Sequence, residues 1–213
     1  MKTWILAFTL LTVITCGDSR MTDEENGNNK LGSVIMQEPE FNISEYEKRK
    51  ESGTTHFFLD DGTEIQQFDV EEGDVLNYVE YRTVPGQYFK EYRLYYENGN
   101  IKTSGKEYPR QFQAGVWSEF DRSGKLDREI DHDLPYKFTF DSLLMLIQGQ
   151  TNGKDELAID VFSGTTMISR KVSEQGPRWY VKWKEREERR ERLVIDGETG
   201  QVLERGTVEW EEN

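Results

Sequence analysis

Between residues 57 and 126 the chain repeats one short device three times: aromatic residues, a polar turn holding a glycine, then an aliphatic residue. The copies are Phe57-Phe58-Leu59 with Asp60-Asp61-Gly62-Thr63-Glu64-Ile65, Leu94-Tyr95-Tyr96 with Glu97-Asn98-Gly99-Asn100-Ile101, and Trp117 to Phe120 with Asp121-Arg122-Ser123-Gly124-Lys125-Leu126. Glycine takes the positive φ of such a turn without a Cβ penalty. Gly99 and Gly124 stand 25 residues apart, and Gly62 and Gly99 stand 37 apart, a spacing that predicts stacked β-hairpins. Aromatic residues are 12% of the chain against 35% hydrophobic overall, which suits strands better than a Leu-rich helical bundle.

Tyr95, Tyr96, Asn98, Gly99 and Ile101, followed by Gly105, Trp117, Phe120, Gly124 and Leu126, resemble the MORN-like repeats of the YwqK family of antitoxins. The likeness covers about Thr55–Asp131 and is clear over two units, with the Phe57–Gln67 unit degenerate. It implies a hairpin sheet and carries no chemistry of its own. These glycines mark the turns of the expected array, and the aromatic and aliphatic residues mark its core.

Beyond Pro135 the pattern changes. Phe138 to Ile147 is apolar at helical spacing, with Gly149 as a stop. Strand-like segments follow at Leu157–Phe162, Thr165–Ser169, Trp179–Trp183, Leu193–Ile195 and Val202–Glu204. Alternation puts Trp179, Val181 and Trp183 on one face. Asp196, Thr199 and Gly200 form an Asp-x-x-Thr-Gly turn between the last two strands. Residues Pro177–Trp183 and Leu193–Leu203 resemble a PepSY-like domain, a family of small α+β units in exported proteins, some of which regulate peptidases. The charged run Lys184–Arg192 departs from that family's short connection and predicts either an extended hairpin or a helical insert with Glu185–Arg189 and Glu188–Arg192 pairs.

The N-terminus reads as an export signal. Met1-Lys2 precedes an apolar run, Trp4 to Ile14, broken only by Thr9 and Thr12 and too short to span a bilayer stably. It ends at Val13-Ile14-Thr15-Cys16-Gly17, which resembles a lipobox. Cys16, the only cysteine, is the expected lipidation site, and each buried acyl methylene adds about 0.8 kcal/mol of membrane affinity. The polar stretch from Gly17 to about Lys50 reads as a tether, with a capping box from Ser44 to Glu47 for a short helix.

The formal net charge is -14; removing residues 1–15 takes away Lys2 and no acid, leaving -15. Such a field repels nucleic acid backbones and anionic lipid surfaces, and it attracts cations and basic protein surfaces. No catalytic constellation stands out, because His56 and His132 lie far apart and neither neighbours a nucleophile motif. No His/Cys cluster has zinc spacing, and Asp60–Glu64 and Asp196–Glu198 do not complete a calcium loop. Neither a metal nor a cofactor is expected, and no small-molecule ligand is evident.

The expected architecture is α+β, dominated by antiparallel hairpins: a signal peptide at 1–15, a tether at 16–50, a MORN-like array at 51–134 and a PepSY-like helix-plus-sheet unit at 135–213. The expected role is a non-catalytic protein-binding module anchored in the bacterial cell envelope, periplasmic or surface-exposed, in the manner of an immunity protein or antitoxin-like inhibitor. Its expected partners are the membrane, through the lipid on Cys16, and a basic protein such as a toxin or peptidase. The alternatives are a scaffold lipoprotein of the outer membrane and a hydrolase whose site is not visible in the sequence. Cys16→Ser is expected to abolish membrane fractionation. Metabolic labelling with a fatty-acid analogue checks this, since an unlabelled native chain contradicts lipidation.

Overall fold

The computed structural model describes residues 40–109, 111–149, 159–161, 164–186 and 189–208, all within one compact unit. The expected leader at 1–15, Cys16 and the acidic stretch at 23–29 lie outside them. Seven strands come first: β1 (Thr54–Phe58), β2 (Glu64–Glu72), β3 (Val75–Thr83), β4 (Lys90–Tyr95), β5 (Ile101–Tyr108), β6 (Phe112–Phe120) and β7 (Leu126–Asp131). They form one sheet in which each strand pairs antiparallel with the next in sequence. A second antiparallel sheet follows from β8 (Met167–Ser173), β9 (Gly176–Arg186), β10 (Arg189–Asp196) and β11 (Val202–Val208), again in chain order.

The repeated turns share one geometry. In each, the first loop residue donates its N–H across the loop (Leu59 to Thr63 O, Tyr96 to Asn100 O, Asp121 to Lys125 O), and the glycine N–H closes back on that first residue's carbonyl. Gly62, Gly99 and Gly124 have φ of +82°, +88° and +81°, where a side chain is strained. After the second and third turns the register slips by one residue, between Leu94 and Tyr95 and between Glu119 and Phe120. The β10–β11 hairpin repeats the slip between Val194 and Ile195.

Two helices cover these sheets. α1 (Ile43–Arg49) lies over the first sheet, where Phe41 and Tyr46 pack with Tyr78, Tyr95 and Ile101. Burying an aromatic side chain of this kind contributes about 1.5–3 kcal/mol. α2 (Phe140–Ile147) buries Leu143, Leu144 and Ile147 against Ile168, Trp179, Val181, Leu193 and Ile195 of the second sheet. Tyr88, Tyr108 and Phe112 of the first sheet region close the same core, so the two sheets share it. Arg170 of β8 crosses this seam, its side chain 6% exposed and ion-paired to Asp133 at 2.7 Å.

This architecture corrects the α+β expectation. The described chain is mainly antiparallel β, with eleven strands and two helices of seven and eight residues. Helix nucleation is costly and a two-turn segment is marginal alone, so each helix persists as a cover on a sheet and not as a layer of its own. The PepSY-like unit expected to combine helix and sheet is a four-stranded meander with one eight-residue cover. The described residues of the run Lys184–Arg192 take the extended alternative, since β9 continues to Arg186 and β10 begins at Arg189. Of the strand expected at Leu157–Phe162, only 159–161 are described, without strand pairing; Ile159 N–H donates to Ile147 O at 3.0 Å. The end of the expected tether is packed structure, because Phe41 is anchored by its N–H to Gly99 O at 2.8 Å. That anchor puts Asn42 at the helix cap, accepting from Glu45 N–H at 3.0 Å, in place of the expected Ser44.

Gly105 is the closest approach in the first sheet. A Cβ there would stand 2.3 Å from the Trp117 ring, whose Nε1 donates to Lys106 O at 3.0 Å. Gly105→Ala is expected to displace the indole and destabilise the fold by about 1–3 kcal/mol. Urea denaturation followed by tryptophan fluorescence measures the loss.

Candidate binding face

Side chains alternate along each strand, so the first sheet has two faces of different character. One face carries Tyr78, Tyr95, Tyr108 and Phe112, and both α1 and the shared core pack against it. Between those covers runs a polar row of directly registered residues: Thr55, Gln67, Glu80, Arg93, Ser104, Ser118 and Glu129. Glu80, 8% exposed, accepts from Gln67 Nε2 at 2.7 Å and lies 3.5 Å from Arg93 and 3.6 Å from Arg82. A buried charge held this way is tolerated because its lone pairs are used.

The opposite face carries an aromatic ladder. Phe68, Tyr81, Tyr92, Trp117 and His132 follow one another with ring centroids 6.0, 5.4, 5.3 and 6.0 Å apart. Tyr81 and Tyr92 are opposite one another in register, and Trp117 reaches over Gly105 to stack on Tyr92 at 23°. None of these residues belongs to either core cluster, although Trp117 is 6% exposed and the other four are half-buried. Exposed Phe58 and Ile130 continue the apolar surface towards the two edges.

A furrow runs over this ladder. A cleft of about 380 Å³ lies between Tyr92, Trp117, Glu107 and His132. A second of about 650 Å³ lies by the stacked turns, at Tyr96, Lys102 and Arg122, and both clefts include Thr103 and Glu119. The furrow is lined with carboxylates of unequal character. Glu119 accepts from Arg128 at 2.6 and 2.8 Å, and that pairing holds its carboxyl below the usual range. Burial pushes the half-buried Glu107 carboxyl up, against the pull of Lys90 beside it. Burial also pushes the Tyr92 hydroxyl up to about 12.

The residues singled out in the sequence serve mostly as framework. Tyr95 and Ile101 are buried under α1, and Phe120 packs against them. The Tyr96 hydroxyl donates to Phe120 O at 2.8 Å, and Asn98 Nδ2 donates to Arg122 O at 3.1 Å, so adjacent turns are tied together. Gly99 has a second constraint besides its φ, since a Cβ there would meet Phe41 O at 3.0 Å. Gly124 closes its turn by φ alone, with open space around it. Leu126, expected in the core, is 46% exposed, because β7 is an edge strand with every residue exposed. Trp179 and Val181 are fully buried, and Trp183 is partly buried against the same core. Asp196 Oδ1 accepts from Thr199 N–H and Oγ1 at 2.8 and 2.9 Å, and Gly200, at φ +76°, lies against the Phe138 ring.

Only Trp117 of those residues enters the aromatic ladder. Tyr81 in the ladder, and Tyr92 and Glu107 in the furrow, carry no motif in the sequence, and the alignment that unites them appears only with the register. His56 shares this face, its Nε2 2.9 Å from Glu64 Oε1. Among the described residues no group of three or more His, Cys, Asp or Glu is placed to hold a metal ion.

His132 supplies a pH test. Burial and the nearby Arg170 charge lower its pKa, so the unfolded chain takes up a proton at higher pH than the folded one. Stability from this group is complete above about pH 6.5 and falls as pH drops through the lowered value. Glu107, raised in the fold, acts with the opposite sign nearer the carboxylate range. His132→Gln is expected to flatten the decline in melting temperature between about pH 6.5 and 5, and an unchanged slope contradicts the assignment. No protein-family model matches this chain, and neither a curated protein nor a solved structure matches it.

Proposed function

We propose that this protein is a non-catalytic binding module of the bacterial envelope, anchored through a lipid on Cys16, which engages a protein partner with the open face of its seven-stranded sheet. The observation that carries this reading is the aromatic ladder on the face that neither α1 nor the second sheet covers. Phe68, Tyr81 and Tyr92 are half-buried, so the ladder keeps apolar area in water around the buried Trp117, and such residues dominate binding energy at protein interfaces. Glu107 and Glu119 in the furrow favour a partner that presents a lysine or arginine amid apolar contacts, in keeping with the acidic charge of the chain. The likeness of the repeat residues to the YwqK family points to an immunity or antitoxin-like inhibitor as the form of that binding.

The reading is tested by photo-crosslinking in the native envelope. A benzophenone side chain in place of Gln113, which lines the furrow, is expected to yield a discrete heterologous adduct. The same group in place of Glu129, on the opposite face, is expected to yield none. Charge reversal by Glu107→Lys is expected to remove the adduct. Equal adducts from both faces contradict the reading, and an adduct made only of two copies of this chain supports a scaffold role in its place.

A further inference from the structure

The net charge of -14 conceals a segregation of charge in the second sheet. Alternation along β8, β9 and β10 sends Ile168, Trp179, Val181 and Leu193 into the core beneath α2. It sends Lys171, Arg178, Lys182, Lys184, Arg190 and Arg192 to the other face. The register sets Lys171 opposite Arg178, Lys182 opposite Arg192 and Lys184 opposite Arg190, so like charges face one another in three rows. Like charges in direct cross-strand register are destabilising, so this arrangement works against the sheet that carries it. Among the described side chains, two carboxylates share the face. Asp196 directs Oδ1 to its own turn, and Glu204 accepts from Arg192. Apolar atoms lie among the cations: Val194 is 4% exposed, Tyr180 is opposite it in register, and Met167, opposite Lys182, is 40% exposed. The stems of Lys171, Lys182 and Lys184 leave their charged heads in solvent, while Arg178, Arg190 and Arg192 are half-buried among these apolar atoms.

We infer that this basic face docks onto the anionic phosphate headgroups of the membrane in which the Cys16 lipid sits. The inference rests on the anchoring reading given above. Among the described side chains, six cations against two carboxylates complement a plane of phosphates, and the flat face offers a broad array where a reader of duplex DNA would offer an element shaped to a groove. A basic patch supplies the second attachment that makes acyl anchoring firm. The acidic remainder of the surface, repelled by the same headgroups, leaves this side as the one that approaches.

The test is amine footprinting of the full lipidated chain mixed with vesicles of phosphatidylcholine, with and without phosphatidylglycerol. Lys171, Lys182 and Lys184 are expected to be acetylated about fivefold more slowly on the anionic vesicles, and the protection is expected to vanish near 1 M salt, where the Debye length is about 3 Å. Lys48 in α1 and Lys125 in the β6–β7 turn, both exposed, are expected to react equally on both vesicles. Lys182→Gln with Lys184→Gln is expected to remove protection at Lys171 without lowering the melting temperature, because both side chains are exposed. Equal acetylation on the two vesicles overturns the inference, as does protection by duplex DNA in the absence of anionic lipid. Fatty-acid labelling separates the two ideas: an unlabelled chain that is still protected leaves the basic face standing without the anchor, and a labelled chain without protection does the reverse.

Discussion

The union of the two sheets depends on one buried guanidinium. Arg170 of β8 stands 4.6 Å from the Phe112 ring, 4.6 Å from Tyr136 and 5.3 Å from Trp179, and it donates to Gln113 O while ion-paired to Asp133. These partners come from β6, the segment after β7, and β9, so a single planar cation spans both sheets. Desolvated cation–π contacts of this kind are worth about 2 kcal/mol each, and a lysine could not reproduce the flat stacking. The aromatic hub around it is closed by Trp179 Nε1, which donates to Phe138 O at 2.9 Å and fixes the entry to α2. Burial, and after it the same charge, lower the pKa of His132 in the furrow.

Both covers of the first sheet lie on one side of it. That side has an interior built in two apolar patches with an ionic row between them, and the other side is left with stacked rings and carboxylates. A sheet covered on one face is the ordinary condition of antiparallel structure, with polar residues on the wet side. Here that side carries aromatic residues where alternation would favour polar ones, and the proposed binding role rests on that departure.

Legibility in the sequence followed locality. Gly62, Gly99, Gly124 and Gly200 announced their turns because positive φ is a property of a single residue. The helix from Phe138 was readable to within two residues, with Thr139 capping it by accepting from Ser142 N–H at 3.2 Å. α1 was harder, since its buried Tyr46 and the preceding Phe41 sit in an otherwise polar stretch and gain their place only from the distant Tyr78 and Tyr95. The β2–β3 hairpin at Gly73 was invisible because Glu71, Glu72 and Asp74 read as a solvated run. The balance of helix and strand was misjudged for a related reason: apolar spacing over ten residues measures the face of a helix and says nothing of whether it becomes a layer. The charge sum erased the basic face, because a total cannot show that alternation sorts lysine and arginine to one side of β9 and β10.

In each sheet every strand lies beside its chain neighbour. The farthest registered partners in the first sheet are Glu64 and Thr83, 19 residues apart, so loop closure costs little anywhere in it. Folding that relies on such local pairings is fast for a β protein. A chain delivered from its N-terminal end can therefore zip each hairpin onto the last as it emerges, and the first sheet needs no later strand to complete its ladder. Only the packing of Arg170 must wait, since it joins β6 to a strand that arrives some fifty residues afterwards. The seam between the sheets is thus the final lock of an otherwise sequential assembly, and a halted chain would expose its hub of aromatic rings.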